Sequence, residues 1–247
     1  MTQRLPRVLL VEDDASIRRF VQLALEDCGV ELVQAGSLGA AIDALRTGPF
    51  VLILCDLMLP DGSGFDLLQS LAESDAPSPG MHRVAFSAGV SAEARQRLLS
   101  LGVHEVLSKP ASLAALLACV QGAVAKSQAP IPPTPVAQTV AEAAEEAVEA
   151  YFGGDRDLYE NFLVQCRQQW LHDAEMGDLA LKQGDLQAMR RLSHSLKSVL
   201  ATLGLAADGA LALSLEHAAA EGRAEAAGRL WPKLRAHLLA HADQPRA

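Results

Sequence analysis

Aromatic residues make up only 4% of this 247-residue chain, and cysteine occurs only four times. Cys28, Cys55, Cys119 and Cys166 stand 27, 64 and 47 residues apart, which forms no CxxC pair and no zinc-like spacing. They read as buried thiols in a reducing compartment. A basic surplus is also missing: the chain up to residue 128 holds 10 Lys+Arg against 14 Asp+Glu, and the remainder 11 against 16. That balance argues against a nucleic-acid partner. The most apolar run, LAALLACV, falls far short of the ~20 residues a bilayer crossing needs, and MTQRLPRVLL has no signal-peptide core. A soluble, cytoplasmic protein with no membrane partner is expected. The chain contains no GxxxxGK loop, no GxGxxG and no glycine-rich nucleotide lid, so ATP chemistry is not expected of it.

With 50% apolar residues, a chain of this length can bury two modest cores. The segment KSQAPIPPTPVAQ holds four of the twelve prolines and almost no charge, and reads as an extended connector. The predicted division is therefore 1–125, a linker over 126–138, and 139–247. In the first part RVLLV, ELVQA, FVLILC, RVAFS and HEVLS alternate with helical patterns, as where Ile17, Phe20, Val21, Ala24 and Cys28 recur on one helical face. That alternation predicts an α/β domain with a five-stranded parallel sheet. The second part loses the β signal and is rich in Ala, Leu, Glu and Arg, with breaks near Gly153-Gly154, Gly184-Asp185, Gly204 and Gly222. It predicts an all-α bundle.

In an open parallel sheet the chemistry gathers at the carboxyl ends of the strands. Standing there are Glu12, Asp13 and Asp14, then Asp56, Ser87 and Lys109-Pro110. Converging carboxylates repel one another, and a hard divalent cation with oxygen ligands, most often Mg²⁺, relieves them. A lysine and a hydroxyl beside them suit the oxygens of a phosphoryl group. In this order the residues resemble the receiver domain of two-component response regulators, a flavodoxin-like module, over residues 5 to 125, and LMLPDGSG resembles that family's loop. The resemblance implies that Glu12, Asp13, Asp56 and the backbone carbonyl of Met58 hold Mg²⁺. It also implies that Asp56 is the phosphoacceptor, Ser87 a donor to the phosphoryl oxygens and Lys109 their counter-ion. Asp14 reads as a helix cap and Asp61 as a turn residue. Val106 departs from the family, which carries an aromatic residue three positions before the lysine.

In RRLSHSLKSVLATLG the helix expected from Asp185 to about Thr202 gathers Met189, Leu192, Leu196, Val199, Leu200 and Leu203 on one face. His194 lies largely off that face, beside Arg190, Arg191, Lys197, Ser198 and Ala201, and is expected to protrude. A neutral imidazole there is nucleophilic, and Lys197 balances added negative charge. The stretch HSLKSVLATLG resembles the signature of histidine phosphotransfer (HPt) domains, although that family has Gly where Ser198 stands. The resemblance implies that His194 is a second phosphoacceptor. His237 and His241 have i,i+4 metal-like spacing without a visible third ligand, and read as a solvated face.

The expected function is a two-component phosphorelay protein, exchanging phosphate on Asp56 and His194 with a sensor histidine kinase and the receiver of a downstream response regulator. A homodimer through the receiver stays open. So do a scaffold or phosphate sink acting on a kinase by docking, and an aspartate phosphatase, for which Met58 stands where the general acid belongs.

Overall fold

Strands built from unbroken Val, Leu and Ile have no polar face to offer water and must be covered on both sides. The computed structural model describes residues 5–73, 80–126 and 143–243. Within the first two stretches β1 (Arg7–Val11) leads into α1 (Ala15–Leu25), β2 (Glu31–Ala35) into α2 (Leu38–Leu45), and β3 (Leu52–Cys55) into the hairpin β4 (Met58–Leu59) and β5 (Gly62–Ser63). Then come α3 (Gly64–Glu73), β6 (His82–Ser87), α4 (Ala92–Ser100), β7 (Glu105–Ser108) and α5 (Leu113–Lys126). The five longer strands form a parallel sheet in the order β2-β1-β3-β6-β7, the flavodoxin-like order. Val11 pairs with both Ala35 and Cys55, and Cys55 with Ala85, so the carboxyl ends finish nearly level. The order reverses between β1 and β3, which opens a crevice at that end.

Asp14 caps α1, accepting from the Ile17 N–H at 2.9 Å. Asp61 does more than occupy a turn: its exposed carboxylate accepts from the N–H groups of Leu38 and Gly39 at 2.7 and 2.9 Å and caps α2. The hairpin inside LMLPDGSG carries no periodic signal and was not expected.

The chain divides into two units, Met1–Ala137 and Gln138–Ala247. The proline-rich connector expected over 126–138 lies, from residue 127 on, outside the described residues. In the second unit α6 (Ala143–Phe152), α7 (Arg156–Gln183), α8 (Leu186–Thr202), α9 (Ala206–Ala220) and α10 (Ala224–Ala242) are separated at the four glycine breaks read from sequence. Gly184 shows why glycine stands there, closing α7 with a φ of 67°, where a side chain would be strained. Among the described residues no helix is long and apolar enough to cross a membrane.

Helix α10 sets a large side chain on a glycine of α7. Trp231 is buried against Gly177, where an added Cβ would fall 2.0 Å from the indole ring, and its Nε1–H donates to Asp178 at 2.8 Å. Alanine in an exposed helix interior stabilises by ~1 kcal/mol relative to glycine. At Gly177 the sign reverses: Gly177→Ala is expected to cost ~1–3 kcal/mol through overpacking, measured by urea unfolding followed by tryptophan fluorescence.

Candidate functional site

Two backbone hydrogen bonds extend the sheet past its strand ends and fix the acidic residues there. The Glu12 N–H donates to the Ala35 carbonyl at 2.9 Å and the Asp56 N–H to the Val11 carbonyl at 2.8 Å. Glu12 and Asp56 are buried and Asp13 half-buried, and one oxygen of each lies within 4.8 Å of the others. Lys109 follows β7, its N–H held by the Ser87 carbonyl at 3.1 Å and its peptide bond to Pro110 cis. Its ammonium donates to Asp56 Oδ2 at 2.5 Å and lies 2.5 Å from Glu12 Oε2, an ionic contact rather than a directed hydrogen bond. Ser87, at the end of β6, is buried. Met58 opens the hairpin, its N–H donating to Asp56 Oδ1 at 3.1 Å.

The electrostatics follow from burying more negative than positive charge. Burial, with Asp56 adding repulsion, raises the Glu12 carboxyl well above its usual range against the pull of Lys109. Burial and then Asp56 push Asp13 from 3.8 up to about 6. Burial opposes the Lys109 ammonium, but Glu12 and Asp56 more than offset it and hold the charge in place. An all-oxygen set with surplus negative charge fits a hard divalent cation, so Glu12, Asp13 and Asp56 suit Mg²⁺.

Two residues that position this pocket escaped the sequence reading. Arg18 on α1 donates from one nitrogen to the carbonyls of Glu12 and Asp13, at 2.7 and 2.8 Å, and so holds the loop that carries both acids. Gly64 begins α3 so close beneath Asp56 that an added Cβ would fall 1.7 Å from the Asp56 carbonyl oxygen. The glycine ending LMLPDGSG was the visible signal for the second. Nothing in the pattern distinguished Arg18 from its neighbour Arg19. Val106 on β7 is buried in the core, paired with Ala85.

Asp185 caps α8 by accepting from the Ala188 N–H at 2.9 Å, and Gly204 follows the helix with a φ of 76°, as the sequence indicated. His194 does not protrude, however; it is only 5% exposed. Periodicity along one helix identifies one apolar face, whereas α8 packs against both α7 and α9 and buries a second. From α9, Glu216 accepts from His194 Nδ1 at 2.7 Å and from the Lys197 ammonium at 2.7 Å. Burial favours the neutral Glu216 carboxyl, but these two hydrogen bonds outweigh it and bring the group from 4.5 down to about 2. An ionised acceptor on Nδ1 puts the proton there and leaves the lone pair on Nε2. That Nε2 is buried and has no hydrogen-bond partner among the described residues. Glu216 was overlooked, although a carboxylate among Ala212, Leu215 and Ala219 on a buried stripe is a readable oddity.

Comparison with known proteins yields two family matches on the same chain. The model of the response regulator receiver domain matches residues 8–121, and that of the Hpt domain residues 157–244. The chain joins a response regulator receiver domain to an Hpt domain. The sensory/regulatory protein RpfC of Xanthomonas campestris pv. campestris is 29% identical over 216 residues, covering 81% of this chain and 28% of that protein. The KDP operon transcriptional regulatory protein KdpE of Escherichia coli is 28% identical over 62% of this chain and 66% of its own length. The chain thus spans less than two thirds of these curated relatives. Among solved structures, a CheY-like receiver domain protein from Methanospirillum hungatei is 27% identical with a TM-score of 0.46, covering 50% of this chain and 97% of that one.

The receiver's acidic pocket and the Hpt histidine network respond to pH in opposite senses. An acid held at about 6 binds its proton more tightly in the fold, so the metal-free receiver loses stability as pH rises from about 4 through 6. Asp13→Asn is therefore expected to stabilise the metal-free receiver at neutral pH by ~1–3 kcal/mol while weakening Mg²⁺ binding, read by thermal melts with and without Mg²⁺. Glu216, held at about 2, contributes stability above its ordinary 4.5 that disappears as pH falls toward 2. Both tryptophans belong to the helical unit, so acid unfolding followed by their fluorescence should lose ~3 kcal/mol in that window in wild type and much less in Glu216→Gln.

Proposed function

We propose that this protein is a phosphorelay carrier: its receiver domain, taken as residues 1–125, accepts phosphate on Asp56. Its Hpt domain, taken as residues 139–247 beyond a linker over 126–138, carries phosphate on His194. The observation that supports this most directly is the pair of matched chemistries in one chain. The Asp56 carboxylate is braced by Lys109 at 2.5 Å, and an imidazole has its proton directed to Nδ1 by Glu216 at 2.7 Å.

In the forward step an Asp56 oxygen attacks the phosphorus of a donor's phosphohistidine, the P–N bond breaks, and an acyl phosphate forms. Lys109 releases its contact with Asp56 Oδ2 to meet the phosphoryl oxygens, and the Ser87 hydroxyl donates to them. Glu12, Asp13, Asp56 and the Met58 carbonyl would hold Mg²⁺, which when bound would neutralise charge on the transferring group. In the second step the Nε2 lone pair of His194 attacks an aspartyl phosphate, the P–O bond breaks, and the aspartate leaves as a carboxylate. Glu216 stabilises the positive charge that develops on the ring, and Lys197 meets the added phosphoryl charge. Since Nε2 is buried, it has to be uncovered as an incoming receiver docks, with the Glu216 contact at Nδ1 kept.

The partners on this reading are a cytoplasmic sensor histidine kinase and the receiver of another response regulator, with exchange between Asp56 and His194 of one chain as a further route. A second reading, a scaffold or phosphate sink that regulates a kinase by docking, is favoured by one observation, the burial of His194 Nε2.

The test is to incubate the full chain with Mg²⁺ and a small acyl phosphate and follow label in wild type, Asp56→Asn and His194→Gln. Acid-labile, base-stable label marks phosphohistidine and base-labile label marks phosphoaspartate. Label is expected on Asp56, slowed roughly a hundredfold by Lys109→Ala, and on His194 when Asp56 or an added receiver donates. A wild type that labels at Asp56 but never at His194, even with a phosphorylated receiver added, would leave the sink reading in place. Gel filtration with and without label reads self-association through the receiver.

A further inference from the structure

The motif HLLAH, at the end of α10, plays no part in the relay chemistry. Sequence alone made it a solvated face because no third ligand was in view. The structure supplies one. Asp208, near the start of α9, faces both histidines: Oδ1 lies 2.6 Å from Nδ1 of His237 and Oδ2 2.8 Å from Nε2 of His241. The Asp208 side chain is only 11% exposed, against 25% for His241 and 54% for His237. The ring of Trp170, fully buried on α7, lies 5.8 Å from that of His241.

We infer that His237, His241 and Asp208 form a binding site for a borderline divalent cation of the Zn²⁺ type, distinct from the receiver's Mg²⁺ pocket. Two imidazoles one turn apart and a carboxylate from a second helix are a nitrogen-and-oxygen donor set that suits Zn²⁺ and disfavours Mg²⁺. Each histidine now shares a proton with one carboxylate oxygen. On binding, each neutral imidazole presents a lone pair at the nitrogen that now faces Asp208, its single proton passing by way of solvent to the other ring nitrogen, so two N–metal bonds and one O–metal bond form with no net proton lost. Three protein ligands leave a fourth position for water.

The site is not preformed. Ligands on a tetrahedral ion with bonds of ~2.05 Å stand ~3.3 Å apart, so both contacts must open, and the nitrogens must converge from separate carboxylate oxygens. Among the described residues only the acidic trio already brings its ligand atoms within 4.8 Å of one another. His237, more than half exposed and near the helix end, has the freedom to make that movement, while Asp208 and His241 stay anchored. Closure on the cation fastens α10 to α9, the helix that carries Glu216.

The experiment is a calorimetric titration of the full chain with Zn²⁺ in excess Mg²⁺, which keeps the receiver pocket occupied, together with Co²⁺ as a spectroscopic probe. We expect one Zn²⁺ per chain, Co²⁺ bands of four-coordinate intensity, and quenching of tryptophan fluorescence by Co²⁺. Affinity should fall roughly tenfold or more in His237→Ala, His241→Ala and Asp208→Asn, and should be unchanged in Asp56→Asn. The exposed His237 can be replaced without disturbing the core, so its variant separates lost ligation from lost fold. A wild type that takes up no Zn²⁺ under these conditions, or binding that survives both histidine substitutions, would overturn the assignment.

Discussion

The receiver domain is organised around an imbalance of charge: three carboxylates meet at the carboxyl end of the sheet, with one ammonium, Lys109, set directly against two of them. The imbalance is sustained by the backbone. Glu12 and Asp56 are each tied to a neighbouring strand, Arg18 grips the loop that carries Glu12 and Asp13, and Gly64 leaves room for the turn after Asp56. A pocket held this rigidly cannot relax its repulsion by moving its acids apart. It can relax it by binding a cation or a proton, or by redistributing the ammonium, and the proposed phosphoryl transfer would draw on all three. The strain in the pocket and its proposed chemistry thus have one cause.

The Hpt domain solves the complementary problem. A nucleophilic imidazole needs its lone pair on a defined nitrogen, and one ionised carboxylate, Glu216, sets it by accepting at Nδ1. Lys197 contacts the same carboxylate, so the three groups form a single network in which a change at any one is felt by the others. Burying that network between helices preserves the tautomer but shields Nε2, the atom that reacts on the proposed reading. On that reading, stability of the resting arrangement and access to Nε2 are opposed.

The pattern of residues was a good guide wherever function coincides with local geometry. Apolar runs became the expected parallel strands, glycine breaks became helix ends, and Asp14 and Asp185 became caps, because each depends on neighbours within a few residues. Where the outcome depended on a second element, the pattern misled or stayed silent. His194 was expected to protrude, Asp61 turned out to cap a helix more than twenty residues earlier in the chain, and Arg18, Glu216 and Asp208 gave little sign of the partners they would find.

The sequence by itself determined the two families the chain joins, which residues stand at strand ends, and which histidine lies in a phosphotransfer-like helix. These follow from short-range periodicity and from residue types at fixed spacing. Tertiary structure alone decided the proton's place on His194, the clamp on the acidic loop and the meeting of Asp208 with two histidines. Each of those joins residues on different elements, and the approach of one element to another is set by core packing that no short window of sequence contains.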